Sequence, residues 1–223
     1  MMPTSRIKFD PASPEIILIT YPPGGFGNFV YHLLSEFTEQ TVKPNNSAFA
    51  FSGAGNSHST KKYTVSYSHN PLMYHPYIDS DVDTVDKKIL VLVDNEWHDN
   101  EYTRLREVFP HAKIVRMCSE PSIYPVVCAL VTAKTQGIDA NLYCPPDYKG
   151  AGKFTPIEST DVVNVAIRDF ILDPFETFYK LTQELGLTVI NTEQLHSLIA
   201  EWRTAHRLYF IDLYEECHKG HLL

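Results

Sequence analysis

The chain has 223 residues, 43% hydrophobic and 12% aromatic, which is enough for one sizeable core and at most a small subdomain. Its formal net charge is -8 and it holds no block of Lys or Arg, so non-specific nucleic-acid binding is excluded from the expected functions. Met1 to Pro14 lacks the apolar core of a signal peptide, and no apolar run approaches the roughly 20 residues that span a bilayer.

The four cysteines, Cys118, Cys128, Cys144 and Cys217, show neither metal nor redox spacing. Two lie in apolar segments, where a free thiol packs as a small hydrophobe. No metal site is expected, no membrane partner, and the setting reads as reducing and cytoplasmic. Oligomeric state is not legible.

In chain order, Ile16 to Ile19 is a continuous apolar, β-branched run, the pattern of a strand buried on both faces. Tyr21-Pro-Pro-Gly-Gly-Phe-Gly27 breaks it, and Phe29, Val30, Leu33, Leu34 and Phe37 then recur at helical spacing. A helix therefore starts within a residue or two of Gly27. Strand, glycine loop and helix N-terminus in succession make a ready anion site. The backbone N–H groups of Gly25, Phe26, Gly27 and Asn28 would point outward, and the helix dipole would add positive potential. Asn28 and Phe29 stand where a Walker A loop carries Lys and Ser or Thr, which argues against an ordinary kinase or ATPase. A turn whose glycines only permit close packing is the bland alternative.

Thr41 to Lys62 is polar and rich in Asn, Ser and Gly, and reads as a surface loop. Tyr63 to Ser68 alternates and carries β-formers, so a strand is expected there, ending at His69-Asn70-Pro71. Lys87 to Val93 is a further buried strand, followed by a polar turn at Asp94-Asn95-Glu96. Glu101 to Phe109 predicts an amphipathic helix with Tyr102, Leu105 and Phe109 inward. Ala112 to Met117 is the next strand, and Ser119-Glu-Pro-Ser122 can cap a helix beyond it. Within 137–160, the stretch Asn141 to Thr160 is rich in proline and glycine and reads as a lid loop or as disordered chain. Asp161 to Ile167 is a fifth strand. Asp173-Pro174 opens a helix that runs to Leu185 and stops at Gly186, and Thr192 to about Cys217 forms a last helix. Strands alternating with helices predict a single α/β domain over residues 1–223, a three-layer sandwich with a mostly parallel central sheet.

With these segments in place, the sequence resembles the P-loop sulfotransferase family, which moves a sulfuryl group from 3′-phosphoadenosine 5′-phosphosulfate (PAPS) to a hydroxyl or amine. Thr20-Tyr21-Pro22 with the glycine loop is similar to the family's 5′-phosphosulfate loop. Tyr67-Ser68-His69-Asn70-Pro71 is similar to its Lys-Thr-His-x-Pro segment, whose His is the catalytic base. Phe109-Pro-His-Ala-Lys-Ile-Val-Arg116, with Pro121 beyond, resembles the helix-strand-loop that binds the 3′-phosphate. Ile167 to Pro174, with the helix to Leu187, resembles the Tyr-Glu-Asp-Leu segment near the family's C-terminus. All four occur in the family's order. The resemblance implies a P-loop NTPase-like fold, PAPS as cofactor, a small-molecule or glycan acceptor and His69 as base. It implies Tyr21, Gly24, Gly25, Phe26, Gly27, Asn28, Arg116 and Ser119 as the cofactor site.

The departures fall on cofactor contacts. Pro23 stands for the family's loop Lys, Phe26 and Gly27 for its loop hydroxyls, Ser119 for the Arg that grips the 3′-phosphate, and about Val127 for a later Ser. Each charged partner lost costs about 1.5 to 3 kcal/mol, so two losses weaken PAPS binding by roughly two to four powers of ten unless Arg116 or loop lysines compensate. A binding or structural protein that keeps the fold without the chemistry is the alternative.

Overall fold

A computed structural model of the chain describes residues 6–8, 10, 12–21, 26–39, 41–42, 49–51, 63–65, 67–68, 77–79, 88–94, 101–118 and 155–206. Among these residues ten strands occur in order: β1 Arg6–Lys8, β2 Ile16–Tyr21, β3 Thr41–Val42, β4 Phe49–Phe51, β5 Tyr63–Val65, β6 Tyr67–Ser68, β7 Tyr77–Asp79, β8 Lys88–Asp94, β9 Lys113–Cys118 and β10 Val162–Ala166. The described helices are α1 Gly27–Phe37, α2 Glu101–Val108, α3 Ile167–Leu172, α4 Pro174–Leu185 and α5 Thr192–His206.

The main sheet runs β10-β9-β2-β8, and β3 and β6 share the outer edge of β8 end to end. Every pairing in it is parallel. Because strand side chains alternate, β2 divides its residues between two cores. Ile17, Ile19 and Tyr21 face the larger one with Val115, Met117, Val163 and Val165, and α1, α3, α4 and α5 cover it. Ile16 and Leu18 face the smaller one with Ile114 and Val162, covered by Leu105 of α2 and by Phe109. Helices on both faces of a parallel sheet make this a three-layer α/β sandwich, the architecture the alternating elements predict.

Helix ends follow their sequence signals. Asp173 accepts from Glu176 N at 3.1 Å and Pro174 occupies the first turn of α4. Gly186 closes that helix at φ 69°, a conformation glycine takes without Cβ strain, and Leu187 N returns to Thr182 O at 2.8 Å.

Three expectations need correction. Tyr63 to Ser68 is not one strand of the main sheet: β5 pairs antiparallel with β4 in a separate two-stranded sheet, and only Tyr67–Ser68 joins β8. Consequently Thr41 to Lys62 is not wholly loop, since it contributes β3 and β4. The fifth strand stops at Ala166, and Ile167 already begins α3, whose Ile167, Phe170 and Ile171 are buried at helical spacing. The short antiparallel pair β1–β7 carries no signal beyond three residues a side. The helix expected after Ser119, the chain at 137–154 and the last helix beyond His206 lie outside the described residues.

Candidate anion-binding site at the carboxyl edge of the sheet

Strand register sets the site. Ser68, Val93, Thr20, Arg116 and Asn164 lie at one level across β6, β8, β2, β9 and β10. From β2 the chain passes through α1 to the β3 side, whereas from β9 it proceeds to β10 on the other side. The connections leave these two neighbours in opposite directions, and it is at the carboxyl ends of such a switch point that open α/β sheets place ligands. The glycine loop leaves β2 there, after Tyr21. Residue 119 follows the end of β9 at Cys118, and residue 69 follows the end of β6 at Ser68.

At the glycine loop, Phe26 is the N-cap of α1 with φ 61° and ψ 12°, the left-handed region a bulky side chain rarely enters. That strain costs on the order of 1 kcal/mol. Burial of the whole ring, worth about 1.5 to 3 kcal/mol, offsets it. The ring lies edge-on to Trp202 at 5.5 Å and 6.3 Å from Phe170. The carbonyl of Phe26 accepts from Phe29 N at 2.9 Å and Val30 N at 3.0 Å, while the first-turn N–H groups of Gly27 and Asn28 have no intrahelical acceptor by position. Gly27 is needed for packing as well: a Cβ there would lie 2.1 Å from Cγ and Cδ1 of Tyr21. Both readings of this glycine are thus physically supported, the close-packed turn directly and the anion site by the amides it leaves at the helix start.

The α2 face of the sheet changes character one or two residues before the carboxyl ends of its strands. Leu18, Ile114 and Val162 form an apolar row, and Thr20, Arg116 and Asn164 replace it two residues on. Thr20 donates its hydroxyl to Val115 O at 3.3 Å. Arg116, buried, donates Nε to Thr155 O at 3.0 Å. Burial pushes the Cys118 thiol up to about 11, against the charge and hydrogen bond of Arg116, which pull it down. A thiol held protonated at neutral pH is a poor nucleophile.

Of the residues expected at a cofactor, Tyr21 ends β2, Phe26 and Gly27 stand at the start of α1, and Arg116 lies in β9 level with Thr20. The rings of Tyr21 and Phe26 belong to the core and are not available to a ligand. Gly24, Gly25, His69 and Ser119 lie outside the described residues. Asn164 was not among the expected site residues, although its signal is present: it interrupts Val162-Val163-x-Val165 with a polar amide. Among the described residues no cluster of His, Cys, Asp or Glu could hold a metal, and no helix is long and apolar enough to cross a membrane.

The fold is that of a three-layer α/β protein whose parallel sheet changes the direction of its connections between β2 and β9. No family model matches the chain, and no curated protein matches it. Among solved structures, it is similar to a sulfotransferase from Alicyclobacillus acidocaldarius, with 14% identity over 92% of this chain and 96% of that one and a TM-score of 0.48. A likeness at that level speaks to neither activity nor ligand.

Proposed function

We propose that this chain is a sulfotransferase-like group-transfer protein that binds PAPS at the carboxyl edge and serves a hydroxyl or amine on a small-molecule or glycan acceptor. The observation that carries the reading is the level row from Ser68 to Asn164, which brings three separate sequence segments to one end of one parallel sheet. First-turn amides of α1 suit an anion, and the Arg116 guanidinium, whose Nε donates to Thr155 O, adds positive charge at the same end of the sheet. When bound, PAPS supplies an activated sulfuryl group. The amides from Gly24 to Asn28 hold negative charge on the 5′ side, with Arg116 and Ser119 serving the 3′-phosphate. His69, next in the chain after the end of β6, takes the proton from the acceptor, for which an ordinary imidazole is suited at neutral pH.

One observation favours the second reading, a fold-keeping binding protein without transfer chemistry. Arg116 Nε is already engaged by Thr155 O, and no lysine stands at the Pro23 position to share the load. Calorimetric titration with 3′-phosphoadenosine 5′-phosphate (PAP), alongside Gly25→Val and His69→Ala, separates the two. The enzyme reading expects saturable binding that Gly25→Val weakens tenfold or more, and a loss of transfer on the order of a hundredfold in His69→Ala at unchanged melting temperature. Binding without transfer from PAPS to any hydroxyl or amine acceptor supports the second reading. A chain indifferent to millimolar PAP overturns the PAPS-based reading and leaves the fold-keeping binding or structural protein.

A further inference from the structure

We infer that Asn164 is a positioning residue for Arg116, acting through the segment 155–157; the inference rests on the anion-site reading for its functional consequence. Asn164 Nδ2 donates to Ile157 O at 2.9 Å, and Ile157 N donates to Asn164 Oδ1 at 3.0 Å. These two bonds copy a strand-ladder rung with one side-chain amide, and they fix residue 157 against the edge of β10. Two residues earlier, Thr155 O accepts the Arg116 Nε–H at 3.0 Å. Asn164 and Arg116 are register partners on the same face, so amide and guanidinium leave the sheet at one level. The Cys118 thiol adds a third contact, donating to Asn164 Oδ1 at 3.4 Å.

The other end of this segment is held separately. Asp161 pairs with Arg106 of α2 and accepts from Ser159, and its carbonyl accepts from Ile114 N at 2.8 Å. Residues 155–161 therefore form a strap with two anchors, one toward each end of the sheet. Of the two, the Asn164 anchor is the nearer to the carbonyl that accepts from Arg116. A long arginine fixed at Nε keeps its planar fork pre-set, so less rotamer freedom is lost when an anion binds.

The experiment compares the full-length wild type with Asn164→Ala, Arg116→Ala, the double variant and Arg106→Ala as the far-anchor control. Two quantities are read: solvent exchange of the Arg116 Nε–H by NMR, and affinity for PAP by calorimetry. Asn164→Ala is expected to speed the exchange tenfold or more and to weaken PAP about fivefold, a single hydrogen bond's worth. In the Arg116→Ala background the same substitution changes PAP affinity by less than about twofold. Arg106→Ala lowers the melting temperature and leaves both quantities unchanged. If Asn164→Ala does not fold, Asn164→Thr removes the same amide with a residue suited to strands. Unchanged Nε–H exchange, or an affinity loss that persists without Arg116, overturns the inference. If the wild type does not bind PAP, the functional reading falls, and the exchange rates alone decide whether Asn164 positions Arg116.

Discussion

The two faces of the sheet do different work. On the face covered by α1, α3, α4 and α5, four aromatic rings from distant parts of the chain meet. Trp202 stacks on Phe29 at 4.9 Å, and Phe170 lies 5.9 Å from both rings. That cluster reaches to Phe26, so the larger core packs directly against the start of α1. On the α2 face the apolar core is smaller and gives way to Thr20, Arg116 and Asn164 at the carboxyl edge. One face packs Phe26 at the start of α1, and the other carries polar groups at the carboxyl edge. A strained backbone at Phe26 persists because the surrounding core over-determines it.

The sharpest way to break this division is Trp202→Ala. Removing a fully buried indole from the cluster should cost about 3 to 5 kcal/mol in denaturant unfolding, and it should loosen the loop as well. If PAP binds the wild type, affinity in the variant should fall even under conditions where it remains folded. A stability loss below about 1 kcal/mol would show that the cluster is not what holds the loop.

Gly27→Ala tests the contact between strand and loop. The added methyl meets the Tyr21 ring, so an overpacking cost of about 1 to 3 kcal/mol is expected. Tyr21→Ala in the same chain removes the obstacle, and the double variant should be less destabilised than the sum of the singles. Strict additivity would mean that the ring moves aside freely.

On the opposite face, Asp161 gives a pH test. Partial burial raises its pKa, but the Ser159 hydroxyl, its own backbone N–H, the Arg106 guanidinium and the Tyr102 hydroxyl outweigh that and leave it below the ordinary 3.8. A depressed folded-state pKa contributes stability above the unfolded value and loses it as pH falls through the folded one. Asp161→Asn should therefore flatten the acid limb of a stability-versus-pH curve below about pH 4, and change its shape little near neutrality. An acid limb identical to that of the wild type would remove this anchor from the account.

The smallest effect belongs to the exterior. Lys180 and Glu176 pair at 3.4 Å one turn apart on α4, both well exposed. Lys180→Ala should shift unfolding free energy by no more than about 0.5 kcal/mol and fade further in salt. A larger shift would mean that this helix face has a partner.

Much of the fold could be read along the chain because its signals are local. Ile16 to Ile19 announces a buried strand by composition alone, and Asp173-Pro174 with Gly186 brackets a helix by capping chemistry. Short strands escaped for the same reason: Thr41–Val42 and Phe49–Phe51 are held by partners in distant sequence, and two or three residues show no period. Ile167 reads as the last residue of the fifth strand because it continues the apolar run from Val162, and only packing against the larger core makes it the first residue of a helix.

The site divides along the same line. The sequence by itself determined that a glycine loop joins a buried strand to a helix, since glycine, proline and apolar period are properties of neighbours. It also supplied Arg116 as a candidate cation. Only the tertiary structure decided that Phe26 turns its ring inward, that Gly27 must clear Tyr21, and that Arg116 is engaged by Thr155. It alone placed Asn164 level with Arg116, because parallel register joins residues 48 positions apart through backbone hydrogen bonds that no local pattern encodes.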